Sequence, residues 1–453
     1  MAALLLQNIE ALFQRQGEER GAVDLLVRDG LVSAIGPRLS APPGARVVDC
    51  SGKVALPGLV NTHHHFFQIM TRCLPGAQNA KLFDWLTYHY PIWRHVRAET
   101  VDAAARLAMA ELLLTGCTTT SDHHYLFPPG LDDDPISIEV RAARDLGLRF
   151  CGTRGAMTLG ESGGGLPPDD LAEDDDRVLA HCEEVIGRLH DPSPLSMCQV
   201  HLAPCSPFNV TPRLMTESAK LARRHHVRLH THLAETKDET EYCLAKFGHR
   251  PLEYMQELEW LGPDVWYAHG VHFTDSELDL LAQTGTGVAH CPASNMRLGS
   301  GAARVPDMLA RGVPVGLAVD GSASNDSSDM LGELRLALLL GRAVYGNSAL
   351  TARQVISLAT EGSARLLGRD KLGVLKEGFA ADVALFDIEQ LGYAGAADPF
   401  AALLLCGYNH TAWMVIAGGR IVVEDGHLTG GDEEQIRVTA VSEARKLWSR
   451  AGL

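Results

Sequence analysis

The chain has 453 residues, 46% of them hydrophobic, and a formal net charge of −16. Nucleic acids and anionic membranes bind basic surfaces, so this charge argues against both as partners and mainly predicts solubility. The length alone suggests about three domains, although a barrel of this size also forms a single domain. We therefore expect a large soluble protein with a sizeable core.

The start of the chain and its cysteines indicate where the protein works. Residues 1–6 lack the basic start and the long apolar core of a signal peptide. No stretch is long enough to span a bilayer. The ten cysteines include no Cys-x-x-Cys pair, a pattern typical of reduced thiols rather than of a disulfide framework. We expect a cytoplasmic protein.

Short strands with turn signals mark both ends of the chain. Near the start, Asp29-Gly30 is a hairpin signal between residues 22–27 and 31–35. Near the end, residues 413–417 and 420–423 flank two adjacent glycines. Neither end has enough strand to form a core alone, so we predict that the two ends build one small β-sandwich.

Between the two ends, apolar strand-like runs alternate with helical patterns, which favours a parallel barrel over an open sheet. We predict an α/β protein: a (β/α)8 TIM-type barrel over residues 56–368, with a β-sandwich from residues 1–55 and 369–453 that ends in a helix. The predicted strands end near His65, Asp122, Gly155, Pro204, His232, His269, His290 and Asp320.

Candidate metal ligands fall at these predicted strand ends, where barrel active sites lie. They are His63, His65, His232 and Asp320. Imidazole and carboxylate ligands suit a divalent ion of the zinc or iron kind. Residues two apart in an extended strand point the same way, so His63 and His65 can hold one ion while His64 turns away.

Several histidines have competing interpretations. A His-x-His pair alone arises by chance in a chain with 20 histidines, and the later strand-end residues make the metal interpretation stronger. His230 shares a face with His232, but the three-residue spacing to Glu235 favours His232 as the ligand and a structural role for His230. His290 is interpreted as structural. A pocket position and an ordinary loop position are equally open for His123 and His124.

The catalytic candidates follow from the chemistry of a bound ion. A divalent metal lowers the pKa of its water from about 15.7 toward about 7, so a nearby group must carry protons. Glu235 is the candidate for this role, and Asp320 is placed to touch both the ion and its water. His269 could hold a substrate atom near the ion, or it could be a core histidine with satisfied hydrogen bonds.

Three other motifs do not support a different chemistry. Gly285-Thr286-Gly287 lacks the third glycine of a dinucleotide-binding loop. His181-Cys182-Glu183 matches half of a nucleic-acid-type zinc deaminase signature, but no Pro-Cys-x-x-Cys follows. We interpret His181 as a helix-surface residue. No Gly-x-Ser-x-Gly nucleophile motif is present.

Taken together, the motifs resemble the amidohydrolase superfamily in its purine and triazine deaminase branch, over nearly the whole chain. The stretches that carry the resemblance are LPGLVNTHHH (56–65), HTHLAET (230–236), AHG (268–270) and VDGSASN (319–325). The resemblance implies that His63, His65, His232 and Asp320 bind the metal, while Glu235 and His269 assist catalysis. Members with two metals use a lysine on the fourth strand, and residues 197–204 contain none. One ion, Zn²⁺ or Fe²⁺, is expected.

Further stretches are similar to the subgroup that deaminates 8-oxoguanine: HHHFFQ (63–68), SDHHYLFP (121–128), LAPCSPF (202–208) and CPASNMRL (291–298). Relatives acting on isoxanthopterin, guanine or hydroxylated triazines share much of this pattern. We expect a small aminoheterocycle as substrate, read by Gln68, Arg154 and His269. For Arg154, a salt bridge on the barrel rim is an equally open interpretation. Trp93 and Tyr125 either stack on the ring or pack in the core.

Two other functions remain open. A close rival keeps the hydrolysis and changes the leaving group, as in dechlorination or deamination of an s-triazine. The other is a catalytically inactive barrel that binds partners, which the full set of candidate ligands argues against. A homodimer is expected, since symmetric dimers are common among soluble proteins.

Overall fold

The computed structural model describes residues 3–407 and 409–453. Its strands in chain order are β1 (Leu4–Arg15), β2 (Glu18–Arg28), β3 (Leu31–Gly36), β4 (Arg46–Asp49), β5 (Lys53–Pro57), β6 (Leu59–Asn61), β7 (Cys117–His124), β8 (Arg149–Ala156), β9 (Cys198–Pro204), β10 (Leu229–Leu233), β11 (Val265–His269), β12 (Gly287–His290), β13 (Val315–Leu317), β14 (Val383–Asp387), β15 (Met414–Ala417), β16 (Arg420–Glu424) and β17 (His427–Leu428).

Helices follow most strands of the central region. They are α1 (Leu82–Trp93), α2 (Ala98–Leu114), α3 (Pro135–Leu146), α4 (Asp175–Leu189), α5 (Pro212–His225), α6 (Lys237–Phe247), α7 (Pro251–Glu257), α8 (Asp275–Thr284), α9 (Pro292–Arg297), α10 (Val305–Arg311), α11 (Met330–Tyr345), α12 (Ala352–Ser357), α13 (Ser363–Leu366), α14 (Pro399–Leu405) and α15 (Glu433–Arg450). Five short 3₁₀ segments and one π-helical turn complete the helical structure of the described residues; they are Phe66–Thr71, Pro75–Ala77, Glu161–Gly163, Asp169–Leu171, Leu391–Tyr393 and, for the π turn, Leu358–Gly362.

Strands β6 to β13 form one parallel sheet in sequence order. Just past β6, the backbone N–H of Thr62 donates to the carbonyl oxygen of Leu317 in β13 at 3.2 Å. The two outer strands therefore meet, and the sheet is a nearly closed eight-stranded barrel with helices outside. This confirms the predicted fold class.

The first barrel strand is shorter than predicted. It ends at Asn61, so His63 and His65 lie in the segment that follows it. That segment still runs between its neighbours, because the carbonyl oxygens of His63 and His64 accept hydrogen bonds from the backbone N–H groups of Asp320 and His123 at 3.1 and 2.7 Å. The two histidines are thus fixed at the barrel mouth without belonging to the regular strand.

Short loops with capped helices keep the strand ends close to the helix starts. The side chains of Thr211, Thr236 and Thr274 accept hydrogen bonds from the backbone at the starts of α5, α6 and α8. Such N-caps satisfy backbone donors that have no partner within the helix. As a result, the segments after β9, β10 and β11 turn sharply at the same end of the barrel.

Both chain ends contribute to a second sheet, which is mixed and has nine strands. Its order is β17-β16-β15-β14-β5-β1-β2-β3, with β4 paired to β1. The strands share their own apolar cluster, separate from the barrel core. A buried ion pair between Arg149 of β8 and Asp382, with an N–O distance of 3.1 Å, joins this sheet to the barrel. The domain boundaries stay a prediction, and β5 runs across the one proposed between residues 55 and 56.

Among the helices of residues 3–407 and 409–453, none combines the length and the apolar character needed to cross a membrane. All ten cysteines fall within these residues, and each is a free thiol.

Candidate active site

Four predicted ligands come together at the mouth of the barrel. The Nε2 atoms of His63 and His65 lie 3.3 and 3.4 Å from Oδ1 of Asp320. The Nε2 atoms of His65 and His232 are 3.1 Å apart. At 0 to 6% side-chain exposure, His63, His65 and Asp320 are removed from solvent. Residues more than 250 positions apart in the sequence therefore form one compact set of ligand atoms.

The hydrogen bonds of the far ring nitrogens fix the tautomers of two of these histidines. Nδ1 of His65 donates to the carbonyl oxygen of His123 at 2.7 Å, and Nδ1 of His232 donates to that of Cys205 at 2.6 Å. A neutral imidazole that donates from Nδ1 keeps a lone pair on Nε2. Two lone pairs therefore face each other across 3.1 Å, an arrangement that a cation stabilises.

The tautomer of His63 is fixed by the neighbouring His230. Nδ1 of His230 donates to the carbonyl oxygen of Trp266 at 2.9 Å, so Nε2 of His230 must accept. It does so from Nδ1 of His63 at 2.7 Å. This leaves a lone pair on Nε2 of His63, which is buried and has no hydrogen-bond partner within the protein.

Burial keeps these imidazoles neutral. It lowers the pKa of His65 to about 4 and moves the pKa values of His63 and His232 well below the usual value for histidine. Neutral imidazole is the form that binds a metal. Three converging lone pairs and one carboxylate oxygen match the donor set of a divalent metal site, so these residues fit such an ion.

The backbone is strained where two of the functional side chains leave their strands. His269, the last residue of β11, has a φ of 74°, and Asp320, just after β13, has a φ of 65°. Non-glycine residues rarely adopt this region, and such strain concentrates at functional sites. Here it accompanies the sharp turn by which each segment brings its side chain over the barrel mouth.

Glu235 and His269 form a second pair beside the ligand set. Nε2 of His269 is 3.5 Å from Oε2 of Glu235 and 3.9 Å from Oδ2 of Asp320. Burial disfavours the charged imidazole, but the carboxylates of Glu235 and Asp320 outweigh it and raise the pKa of His269. Burial also raises the pKa of Glu235, against the opposing effect of His269. The pKa values of both groups are thus raised, which favours the protonated forms that donate protons in acid–base catalysis.

Supporting residues hold this pair and Asp320 in place. Asn295 accepts from Nδ1 of His269 at 3.0 Å, Ser300 donates to Oε1 of Glu235 at 3.4 Å, and Ser324 donates to Oδ2 of Asp320 at 3.2 Å. The carboxylate of Glu239 accepts from the backbone N–H groups of Ala234 and Glu235 at 3.0 and 2.8 Å. The sequence reasoning assigned no role to these supporting residues, although Asn295 and Ser324 lie within the stretches that carry the family resemblance.

A narrow cavity of about 30 Å³ lies over the ligand set. This volume is enough for about two water molecules and lies below the range of small-molecule sites, so the walls must separate to admit a heterocycle. Apolar side chains from α1 and the loops cover it, and His65, His232, Glu235, His269 and Asp320 line it near the ligands. The remaining polar groups on its walls are Gln68, Tyr125, Cys205, Ser206, Asn209 and Ser324. The cavity therefore combines an apolar slot with polar groups at defined places.

Gln68 lies in this cavity as predicted from the sequence, while Arg154 does not. The amide of Gln68 donates to the hydroxyl of Tyr125 at 3.2 Å, and its Oε1 has no partner within the protein. The guanidinium of Arg154 instead makes two hydrogen bonds to Glu173 at 2.8 and 3.0 Å and stacks over Phe127 with its central carbon 3.7 Å from the ring centre. Arg154 thus forms the rim salt bridge that was its competing interpretation.

The other histidines and aromatic residues have varied positions. Tyr125 lines the cavity, whereas Trp93 is buried and donates to the hydroxyl of Thr71 at 3.1 Å. His123 offers a ring nitrogen within 4.8 Å of ligand atoms of His63, His65 and His232. His124 bonds to Glu139 at 2.7 Å in a separate buried cluster. His230, predicted to be structural, orients His63 directly.

The model of the amidohydrolase family matches residues 54–422. The chain belongs to this family. The match covers the whole barrel and begins and ends within the sheet formed by the two chain ends.

Two individual relatives and one solved structure are similar to this chain over most of its length. The chain is 47% identical over 434 residues to an 8-oxoguanine deaminase of Pseudomonas aeruginosa, covering 95% of this chain and 96% of the relative. It is 40% identical to a hydroxydechloroatrazine ethylaminohydrolase of Pseudomonas sp. strain ADP, covering 95% of this chain and 92% of the relative. Among solved structures, an atrazine chlorohydrolase from Arthrobacter aurescens TC1 complexed with zinc superimposes with a TM-score of 0.94 at 34% identity, over 97% of this chain and 100% of that one.

Proposed function

We propose that the protein is a metal-dependent hydrolase that removes the amino group of 8-oxoguanine and gives urate and ammonia. One observation carries the proposal: three imidazole lone pairs and the Asp320 carboxylate converge beside the Glu235–His269 pair, under a narrow cavity with apolar and polar walls. The identity to the 8-oxoguanine deaminase of P. aeruginosa supports this choice of substrate.

We propose that His63, His65, His232 and Asp320 hold one divalent metal ion. Zinc is our first choice, supported by the zinc complex of the structurally similar chlorohydrolase, and ferrous iron is the alternative. When bound, such an ion lowers the pKa of a coordinated water and so supplies hydroxide at neutral pH.

The carboxylate of Glu235 is positioned to move protons. With its pKa raised by burial, it takes a proton from the attacking water and passes it to the ring nitrogen beside the amino-bearing carbon. Ser300 orients Oε1 of Glu235, and Glu239 fixes the backbone on which Glu235 lies. Replacing the amino group by oxygen consumes one water and releases one ammonia.

His269 and Asp320 complete the reaction. Because Nδ1 of His269 donates to Asn295, Nε2 carries a proton in the charged imidazolium, the form that Glu235 and Asp320 favour. This Nε2–H donates to the oxygen added at the ring carbon and stabilises the negative charge that forms there. Asp320, held at Oδ2 by Ser324, takes the remaining proton of the added water and delivers it to the leaving amino group. Gln68 holds one edge of the heterocycle, since its amide can both donate and accept.

An ammonia-release screen tests this function. Metal-replete protein is assayed with 8-oxoguanine, guanine, isoxanthopterin and hydroxylated s-triazines, and the values of kcat/KM are compared. We expect the largest value for 8-oxoguanine. The second candidate, hydrolysis of an s-triazine, is favoured by the similarity to the two triazine-directed relatives. Chloride or alkylamine release that is faster than ammonia release would establish it instead.

We also propose a role in purine metabolism in the cytoplasm, as a homodimer. The ten free cysteines support a reducing compartment. Light scattering coupled to size-exclusion chromatography tests the dimer, for which a mass close to one chain would be the contrary result.

A further inference from the structure

The polar groups that line the cavity divide into those that already have partners and those that do not. Among the described residues, Oε1 of Gln68, Oδ1 of Asn209 and Oγ of Ser206 are buried and make no hydrogen bond within the protein. A buried polar atom left without a partner is destabilising, and a ligand that supplies the partner removes that penalty. These three atoms therefore define the hydrogen-bonding pattern that a ligand of this cavity must complete.

Asn209 is held firmly enough to recognise that ligand by hydrogen bonding. It lies in the loop between β9 and α5, and its carbonyl oxygen accepts from the backbone N–H groups of Thr158 and Leu159 at 2.9 and 3.1 Å. Its side-chain amide donates to the hydroxyl of Tyr90 at 3.1 Å and lies 3.6 Å from Sγ of Cys205. With 1% exposure, the side chain has little freedom other than rotation of the amide.

Gln68 and Asn209 serve different parts of the cavity. A Cβ placed on Gly321, the residue after Asp320, would lie 2.0 Å from Oε1 of Gln68, so this oxygen is close to the ligand set. No hydrogen bond joins the Asn209 side chain to any of the four predicted ligands. Asn209 therefore lines the same cavity without bonding to the ligand set, where the reacting carbon must lie, and is available to another edge of the ring system.

The substrate chemistry suggests which edge this is. An 8-oxopurine has a ring N–H at position 7, on the ring remote from the amino-bearing carbon, whereas free guanine has this N–H in only one of its two tautomers. A carbonyl oxygen such as Oδ1 of Asn209 is complementary to that N–H. On the basis of the proposed function, we propose that Asn209, with the Ser206 hydroxyl beside it, determines specificity by binding the imidazolone edge of an oxidised purine.

The partner of Asn209 also explains how related rings can be accepted. Burial raises the pKa of Tyr90, so its hydroxyl stays protonated and can donate as well as accept. If the Asn209 amide turns over, Tyr90 donates to Oδ1 and the NH₂ group faces the cavity. Asn209 then binds a bare ring nitrogen, as in guanine, at the expense of its preference for N–H.

Two substitutions test the proposal. Asn209→Leu keeps the size but removes the hydrogen bond, so KM for 8-oxoguanine should rise about 10-fold, the effect of one hydrogen bond, with little change in kcat. Asn209→Asp, assayed at alkaline pH where the carboxylate is ionised, can only accept. It should increase the preference for 8-oxoguanine over guanine by about 10-fold. Asn347→Leu and Asn347→Asp, at an exposed position, are the matched controls.

A binding measurement separates this proposal from the proposed function. Urate lacks the amino group but keeps the imidazolone edge, so calorimetry with urate does not depend on turnover. Weaker urate binding by Asn209→Leu supports the proposal even if no deamination is found. Unchanged KM and unchanged urate affinity overturn it even if deamination is confirmed. If Asn209→Leu does not fold, an unchanged substrate preference in Asn209→Asp overturns it.

Discussion

Polar side chains on the inner and outer faces of the barrel strands are partnered in opposite ways. Inside, His63, His65 and His232 direct lone pairs toward one another and leave hydrogen-bonding capacity unused. Outside, Arg154 is bonded to Glu173, His181 and a backbone carbonyl, and it stacks on Phe127. Both sets are buried, so burial does not distinguish them.

The difference lies in whether the protein itself completes the electrostatics. Arg154 and Glu173 neutralise each other, which is the usual solution for buried charge. The three inner histidines have no such partner within the protein, and only a cation and a substrate would complete their electrostatic and hydrogen-bonding interactions. Unmade hydrogen bonds among well-held side chains therefore separate a candidate reaction site from a structural ion pair.

Removing the metal should have the largest effect on the inner face. Chelation should reduce ammonia release to background, because no other group in the site lowers the pKa of water to near neutral. Activity should return when one equivalent of Zn²⁺ or Fe²⁺ is added. An ammonia-release assay measures the recovery, and metal analysis measures the bound ion. Full activity of metal-free protein would contradict the ligand assignment.

Glu235→Gln should have the second-largest effect on activity, because the amide cannot carry the proton but keeps the shape of the carboxylate side chain. We expect kcat to fall by about 10² to 10⁴ with the metal still bound. Steady-state kinetics and metal content measure this, and Glu241→Gln, at an exposed position on α6, is the control. Retention of full activity would remove Glu235 from the mechanism.

His230→Phe should lower the affinity of the site for its metal ion. It removes the acceptor that fixes the tautomer of His63, and the loss of such an orienting partner typically costs about 10- to 100-fold in metal affinity. Competition with a chromogenic chelator measures the affinity. His201→Phe is the matched control, since His201 is a buried strand histidine with no hydrogen bond to a predicted ligand. Equal affinities in the two variants would deny His230 this role.

Gln68→Ala should affect substrate binding more than chemistry. Removing one hydrogen bond to the ring should raise KM for 8-oxoguanine about 10-fold, with a smaller change in kcat. Kinetics together with thermal unfolding distinguish this from a folding defect. A lowered unfolding temperature with unchanged KM would show that Gln68 only supports Tyr125.

Arg154→Met should have the smallest effect on the reaction and a clear effect on stability. It leaves the Glu173 carboxylate, whose side chain is 11% exposed, without its partner, which should lower the free energy of unfolding by up to about 3 kcal/mol. KM should not change, because the guanidinium does not line the cavity. Denaturant unfolding and kinetics test both parts, and the Arg154→Met/Glu173→Gln double variant should recover stability. A raised KM with normal stability would instead support the sequence-based prediction that Arg154 contacts the substrate.

The sequence predicted the barrel well because strand and helix periodicities alternate clearly along residues 56–368. Predicted strand ends at Pro204, His269 and His290 coincide with the observed ones. The first strand is shorter than predicted because the chain from Thr62 onward is held by single hydrogen bonds to both neighbours rather than by a regular ladder. For Arg154, the position at a strand end was correct, but the direction of its side chain could not be derived.

The supporting residues were missed for a related reason. Ser300 and Asn209 lie in loops without a local pattern, and their roles depend on what the fold places opposite them. Sequence spacing does not report such contacts.

The sequence by itself determined which side chains occur at strand ends, and hence the ligand types and the chemistry they favour, because periodicity and donor chemistry are local properties. Only the tertiary structure decided which lone pairs converge, which amide oxygens stay free and which arginine is already neutralised. These outcomes depend on the closing of the barrel, which brings β6 next to β13 and turns each strand-end residue either toward the cavity or toward the helices outside.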